Sequence, residues 1–204
     1  MSILVTTAYL PPASYMAEVL RTDEVVIEVT ETYQKQTLRN HCAIYGPNGR
    51  QILSIPVVKV NGNHTRTKDI RISEHQPWQR IHWRSITTAY NNSPFFLFYQ
   101  DLLAPFYEKK FNFLVDWNME LLILMLRILK VERHISMTST YEPSPERISD
   151  LRWKLNQENK VIPANIQRYT QVFESRHGFI IDLSVIDLVF NLGPEANDYI
   201  CTTN

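Results

Sequence analysis

Residues 3–29, ILVTTAYLPPASYMAEVLRTDEVVIEV, decide the architecture. Ile3 to Tyr9 is β-branched and apolar and ends in Leu10-Pro11-Pro12. Ala13, Met16, Ala17 and Leu20 then recur at helical spacing up to Arg21, and Glu24 to Val29 returns as a run of valine and isoleucine. Strand, turn, helix and strand in that order make a βαβ-like unit, which pairs its strands in parallel and takes a right-handed crossover by default. An α/β class follows. At 204 residues the chain fills one well-buried core, so residues 1–204 are read as a single domain.

Further along, Tyr33 to Ile44 is polar and rich in donors, Gly46-Pro47-Asn48-Gly49 is a turn, and Gln51 to Val60 resumes strand character. A hairpin is expected there, giving a mixed sheet. Asn61-Gly62-Asn63 is a second turn, after which Thr67 to Ile72 alternates like an exposed strand. Pro77 opens a helix with Trp78, Ile81, His82, Ile86, Ala89 and Tyr90 on its inner face. Pro94 starts another, Pro105 interrupts it, and Phe106 to Val115 continues in helical period. Asn118 to Val131 is apolar on nearly all sides, as an enclosed helix requires. The C-terminal half is therefore predominantly helical.

Between Ser139 and Gln171 the period fades among Pro143, Pro145 and Pro163, and residues 139–166 read as an excursion or lid that tolerates insertion. Tyr169 to Phe173 is expected as a short strand, and Ser184 to Phe190 as a terminal helix stopped by Asn191, Gly193 and Pro194.

Composition excludes several classes. An apolar fraction of 44% with 11% aromatics is that of a folded protein. Cys42 and Cys201 are too few for a disulfide scaffold and are expected as free thiols. The longest apolar run, Leu121 to Leu126, falls far short of the roughly 20 residues a membrane helix needs. The N-terminus has no basic leader, which gives a cytoplasmic location as the expectation.

Charge is segregated. Tyr33 to Arg84 holds nine Lys and Arg residues against only Asp69 and Glu74, plus four of the six histidines, for a net +7. The whole chain is formally neutral, so residues 1–32 carry −4 and residues 85–204 carry −3. Such asymmetry points to an anionic ligand.

Four stretches together resemble the WbqC-like family of bacterial proteins: TTAYLPPASYMAEVL (6–20), YQKQTLRNHCAIYGPNG (33–49), LSIPVVK (53–59) and HGFIIDLSVIDLVFNLGPEA (177–196). The helical stretches WQRIHWRSITTAYNNSPFF and FYEKKFNFLVDWNMELL are similar to it as well, so the likeness covers most of the chain outside 139–166. What the resemblance implies is a link to gene clusters for lipopolysaccharide O-antigen and other surface sugars, with a sugar nucleotide as a compatible substrate. Carried over residue by residue, it selects Tyr9, Pro11, Tyr33, Lys35, Arg39, Asn40, Ser184, Asp187, Asn191, Gly193 and Pro194. Longer family members have an aromatic-rich, glycine-containing turn after the first strand. Here the turn is Pro11-Pro12-Ala13-Ser14, which puts a ligand role for it in doubt.

Lys35, Arg39 and His41 fall on one side of the segment if it is extended, with Asn40 opposite or at a bulge. Arg39 then suits a phosphate or carboxylate held bidentately and Lys35 a point charge; the bland alternative is a solvated strand edge guarded by charge. His41 and Cys42 are neighbours and point to opposite faces of a strand, which argues against a thiol activated by that imidazole. No Cys-x-x-Cys or His-x-x-x-His spacing marks a metal site, and no motif names a cofactor. Ser184 and Asp187 have capping-box-like spacing, with Asp187 alternatively a general base. The glycine-rich phosphate motifs are absent, leaving the turn after the first strand as a backbone-only phosphate site. Aromatics among the basic residues suit RNA, which the neutral overall charge weakens. What the resemblance implies is a group-transfer enzyme of surface-polysaccharide synthesis acting on an anionic small molecule such as a sugar nucleotide, with Asp187 or His41 as proton acceptor and Tyr9, Tyr33, Lys35, Arg39, Asn40, Ser184 and Asn191 binding it. The alternative is a non-catalytic protein whose basic face meets an acidic partner or RNA.

Overall fold

The opening of the chain folds as its pattern requires. The computed structural model describes residues 2–155 and 167–202. In it β1 (Ser2–Thr6) and β2 (Glu24–Glu28) pair in parallel, Ser2 opposite Glu24 and Thr6 opposite Glu28, with α1 (Ala13–Leu20) between them. Pro12 precedes α1, where its missing N–H costs the helix nothing, and α1 turns Tyr15, Met16, Ala17, Val19 and Leu20 inward. Two further strands complete a four-stranded parallel sheet: β7 (His134–Met137) beside β2, and β8 (Ser149–Asp150) beside β1, in the order β7-β2-β1-β8.

The antiparallel pairing expected of the basic segment exists, but in separate ribbons. β3 (His41–Gly46) and β4 (Gly49–Ser54) form the hairpin around Gly46-Pro47-Asn48-Gly49. Gly49 sits at φ +98°, a conformation for which glycine is suited. Pro56 ends β4, since a residue without an N–H cannot continue the ladder, and the two-residue β5 (Val57–Val58) and β6 (Arg71–Ile72) pair apart from it. The expected strand Thr67–Ile72 is thus mostly a 3-10 turn at Thr67–Asp69.

Helices α2 (Trp78–Tyr90), α3 (Phe96–Leu103) and α4 (Leu114–Ile128) follow, with a 3-10 turn from Ala104 to Tyr107 at the expected Pro105 break. Two details differ from the sequence reading. Ile81, placed inward by spacing, is 52% exposed. Residues 108–113 do not continue the helix, and Phe113 in extended geometry begins α4 instead. α4 is enclosed except for one stripe, Asp116, Glu120, Ile123 and Arg127, at the spacing of a single helix face.

β7 and β8 were not foreseen. β8 carries residues 149–150 of the supposed excursion into the central sheet, so that stretch is structural; residues 156–166 lie outside those described. Tyr169–Phe173 forms no strand. After a single turn, α5 (Glu174–His177), helix α6 (Val185–Leu192) lies almost wholly buried against α1, α3 and β3. α7 (Ala196–Thr202), rather than α6, is the last helix described. One apolar core cluster runs from β1 to α7.

Candidate functional site at the carboxyl edge of the sheet

All four sheet strands run in one direction, so Thr6, Glu28, Met137 and Asp150 end on one edge. In open α/β sheets this carboxyl edge is where ligands sit. It is strongly polar here. Glu28, fully buried at the end of β2, accepts on Oε1 from the Thr30 amide (2.7 Å), the Thr30 hydroxyl (2.7 Å), the Glu31 amide (3.1 Å) and the Thr138 hydroxyl (2.9 Å). Its Oε2 accepts from Arg152 Nη1 at 3.2 Å. Arg152, itself 4% exposed, also donates to Asp150 from Nε (2.9 Å) and Nη2 (2.6 Å), and holds the Asp150 carboxyl below the usual carboxylate range. Glu28 thereby fastens the ends of β2, β7 and β8 together.

A second buried pair lies beside the first. Arg39 donates from Nε (3.0 Å) and, in a short contact, from Nη2 to Glu31 Oε1, and from Nη1 to Thr37 Oγ1 at 3.0 Å. Burial pushes the Glu31 carboxyl up, Arg39 opposes that rise, and the nearby Glu28 adds to it. Both guanidinium contacts fall on Oε1, which leaves Oε2 outside them. Asn118 of α4 donates to Thr7 Oγ1 (3.2 Å) and to the Arg39 carbonyl (2.8 Å). A cavity of about 10 Å³ opens between Thr7, Ala8, Tyr15, Ile27 and Asn118, room for about one water. Asn118 Oδ1, of a residue that lines it, is buried without a hydrogen-bond partner, as are Thr6 Oγ1 and Tyr33 Oη elsewhere on this edge. Burial lifts the Tyr33 hydroxyl to about 12.

Beyond β2 the backbone of Glu31 and Tyr33 pairs with that of Thr67 and Thr65, and Thr32 bridges Arg66. This brings part of the basic segment to the same edge. Lys59 lies 5.8 Å from the centre of the Tyr33 ring, and Lys35, Arg66 and Lys68 are exposed with no acid partner among the described residues. Past β7 and β8 the half-exposed Tyr141 ring lies 5.4 Å from the Arg152 guanidinium, and Trp153 is 62% exposed. The arrangement offers surface cations for an anion, aromatic faces for a ring and a buried carboxyl, Glu31, for proton transfer.

The residues singled out from sequence fall into three groups. Tyr33, Lys35, Arg39 and Asn40 belong to this edge, but not as an extended row. Residues 33–40 turn, with Gln36 at φ +55° and the Asn40 and His41 amides both donating to the Thr37 carbonyl. The expectation that Arg39 is free to hold an anion is corrected: it is 1% exposed and neutralised by Glu31. Asn40 Nδ2 is likewise occupied, by the Ile55 carbonyl at 3.0 Å. His41 starts β3 opposite Ser54, half-buried.

Tyr9 lies in a second group, its hydroxyl 3.0 Å from His82 Nδ1 and 2.9 Å from the Tyr107 hydroxyl, with Cys42 in hydrogen-bonding reach. Burial pushes the Cys42 thiol far up and lowers His82 to about 4, so neither suits nucleophilic chemistry. Ser184, Asp187 and Asn191 form the third. Ser184 caps α6 by accepting from the Ile186 amide at 3.5 Å and donates to the Leu10 carbonyl at 2.8 Å. Asp187 is 0% exposed; Tyr169 donates to its Oδ2 in a short contact and Gln171 at 3.1 Å, and burial raises its pKa to about 6. Asn191 Nδ2 donates to the Asp187 carbonyl at 2.8 Å. Asp187 holds Tyr169 and Gln171 of segment 167–181 onto α6, while Ser184 ties the start of α6 to Leu10.

Sequence reasoning missed Glu28, Glu31, Thr138 and Arg152. The available signal was the pair of glutamates closing an otherwise apolar strand, EVVIEV-TE, since carboxylates are rarely buried without partners. Among the described residues no group of three or more His, Cys, Asp or Glu is placed to hold a metal, and no helix is long and apolar enough to cross a membrane.

The model of the WbqC-like protein family matches residues 7–165. The chain is 25% identical, over an alignment of 222 residues, to "Uncharacterized protein Rv1507c" of Mycobacterium tuberculosis (strain ATCC 25618 / H37Rv), covering 97% of this chain and 96% of that protein. No solved structure matches.

Proposed function

Since the chain belongs to the WbqC-like protein family, we propose that its carboxyl edge is the active site of a group-transfer enzyme acting on an anionic small molecule, a sugar nucleotide in the first instance, in surface-polysaccharide synthesis. The single observation that carries the reading is the burial of Glu28–Arg152 and Glu31–Arg39 at this edge. Buried ion pairs add little to stability compared with apolar packing, so two side by side favour a purpose beyond holding strands together. Lys35, Arg66 and Lys68 meet the phosphates, Tyr141 or Trp153 takes the planar ring, and Glu31 receives the proton of the attacking group. Asp187, the acceptor suggested by sequence, is enclosed by Tyr169 and Gln171 and fits a supporting role.

Thermal unfolding against UDP-sugars, ATP and a short single-stranded RNA tests this, because a ligand of the native state raises the midpoint. A UDP-sugar should raise it saturably, Lys35→Ala and Arg66→Ala should each reduce the rise, and Glu31→Gln should bind without turnover. No sugar-nucleotide response in the folded protein sinks the reading. The exposed, unpaired cations also favour a second reading, a non-catalytic face for RNA or an acidic partner. That reading requires affinity for RNA falling steeply and linearly on a log–log salt plot.

A further inference from the structure

A second concavity, of about 280 Å³, shares no lining residue with the carboxyl edge. Trp78, Tyr107 and Phe111 form its aromatic wall, and Arg80, Lys110 and Glu74 are its charged side chains. The wall is rigid. Trp78 is 6% exposed, and Trp78, Tyr107 and Phe111 all stand edge-on to the fully buried Trp117, at 5.1, 5.5 and 5.0 Å between ring centres. Tyr107 is fixed by its hydroxyl contact with Tyr9 and by stacking on Trp83 at 5.5 Å. Behind these rings the Trp117 indole N–H is buried without an acceptor.

The charged side chains are exposed by comparison. Lys110 pairs with Glu74 at 3.0 Å, both largely in solvent, where such a pair is weak and exchanges readily. Arg80 is exposed with no acid partner among the described residues. The formal sum of Arg80, Lys110 and Glu74 is +1. The same cavity takes in the start of α2, whose first turn has no acidic residue and no side-chain cap. A fixed aromatic wall with adjustable cations is the make-up of a small-molecule pocket, apolar area for affinity and a few charges for orientation.

We propose that this cavity binds a planar aromatic ring carrying a phosphate or carboxylate, the ring against Trp78 and Phe111 and the anion between Arg80 and Lys110. The site is independent of the carboxyl edge and of the reaction assigned there.

The test follows the four tryptophan indole signals by ¹H–¹⁵N NMR while phenyl phosphate is added to the full-length protein. The indole signals of Trp78 and Trp117 should shift saturably and that of Trp153, at the carboxyl edge, should not. Inorganic phosphate and benzyl alcohol should each bind at least about tenfold more weakly, because each lacks half of the recognition. Arg80→Glu and Lys110→Glu, both at exposed positions, should each weaken phenyl phosphate by about tenfold or more while leaving the spectrum otherwise folded. Shifts at Trp78 that persist unchanged in both variants, or no saturable shift up to about 10 mM, overturn the assignment.

Discussion

Arg39 and Glu31 illustrate how much a side chain's surroundings alter its meaning. From the sequence Arg39 is one of nine cations; in the fold it is a buried charge whose attraction is satisfied by Glu31 and Thr37. Removing one member of such a pair leaves the other ionised and desolvated. Arg39→Met should therefore lower stability by about 3–5 kcal/mol, whereas Arg39→Met with Glu31→Gln should recover most of the loss. Urea unfolding of the two variants checks this, and a double variant as unstable as the single one would show that packing dominates. Asp187 makes a different prediction. Its folded pKa of about 6 lies above the ordinary 3.8 because burial disfavours the anion. Between those values the folded protein holds a proton that the unfolded chain has released, so the Asp187 contribution to stability falls as pH rises through the window, against the opposite contribution of His82, whose pKa is lowered to about 4. The drop is on the order of 3 kcal/mol. Asp187→Asn, which still accepts from Tyr169 and Gln171, should remove that fall and tilt the net slope across the window toward rising stability, the direction His82 contributes and raised Glu31 opposes. An unchanged slope across pH 4–6 in chemical denaturation would assign the titration to another group.

At the level of elements, the glycine that ends α6 separates backbone from packing. Gly193 has φ +57° and a Cβ there would stand 2.5 Å from the Phe95 ring; Gly62 has φ +56° and nothing within 4 Å. Both pay for a side chain in the left-handed region, about 1 kcal/mol, but only Gly193→Ala adds a steric clash of about 1–3 kcal/mol. Thermal melts of Gly62→Ala and Gly193→Ala should differ by that second amount, and equal losses would mean that Phe95 moves aside freely. The same contrast between local and distant causes explains what was legible in sequence. β1, α1 and β2 were readable because period and proline punctuation are local signals. The hairpin and the cap of α6 were readable for the same reason. β7 and β8 were not: they have four and two residues, and their strand identity comes from pairing with residues more than a hundred positions away. Tyr33, Lys35 and Arg39 could be placed near a site, yet Arg39's engagement depends on a turn at Gln36, where no glycine announces the positive φ. The part of the site supplied by Thr138 and Arg152 arrives on those unreadable strands.

Across the whole molecule most cations of the basic segment stay at the surface. Of the nine cations between Tyr33 and Arg84, Arg39 alone is buried; Lys59 is half-buried and the other seven are exposed. The residues on either side of that segment carry the compensating −4 and −3, and the sequence pI is about 7.0. A neutral molecule with segregated charge has no net repulsion to keep copies apart, while unlike faces of two copies attract one another. Attraction of this kind is screened over a Debye length of about 10 Å at 0.1 M salt. Static light scattering at pH 7 should therefore give a second virial coefficient that is negative at low ionic strength and rises toward positive values by about 0.3 M salt. Lys35→Glu together with Lys68→Glu shifts the net charge by −4 and removes two exposed cations, which should raise the low-salt value at the same pH. A virial coefficient indifferent to both salt and the double substitution would mean that the exposed cations are too dispersed to act together, and the electrostatic part of ligand recruitment to the carboxyl edge would fall with it.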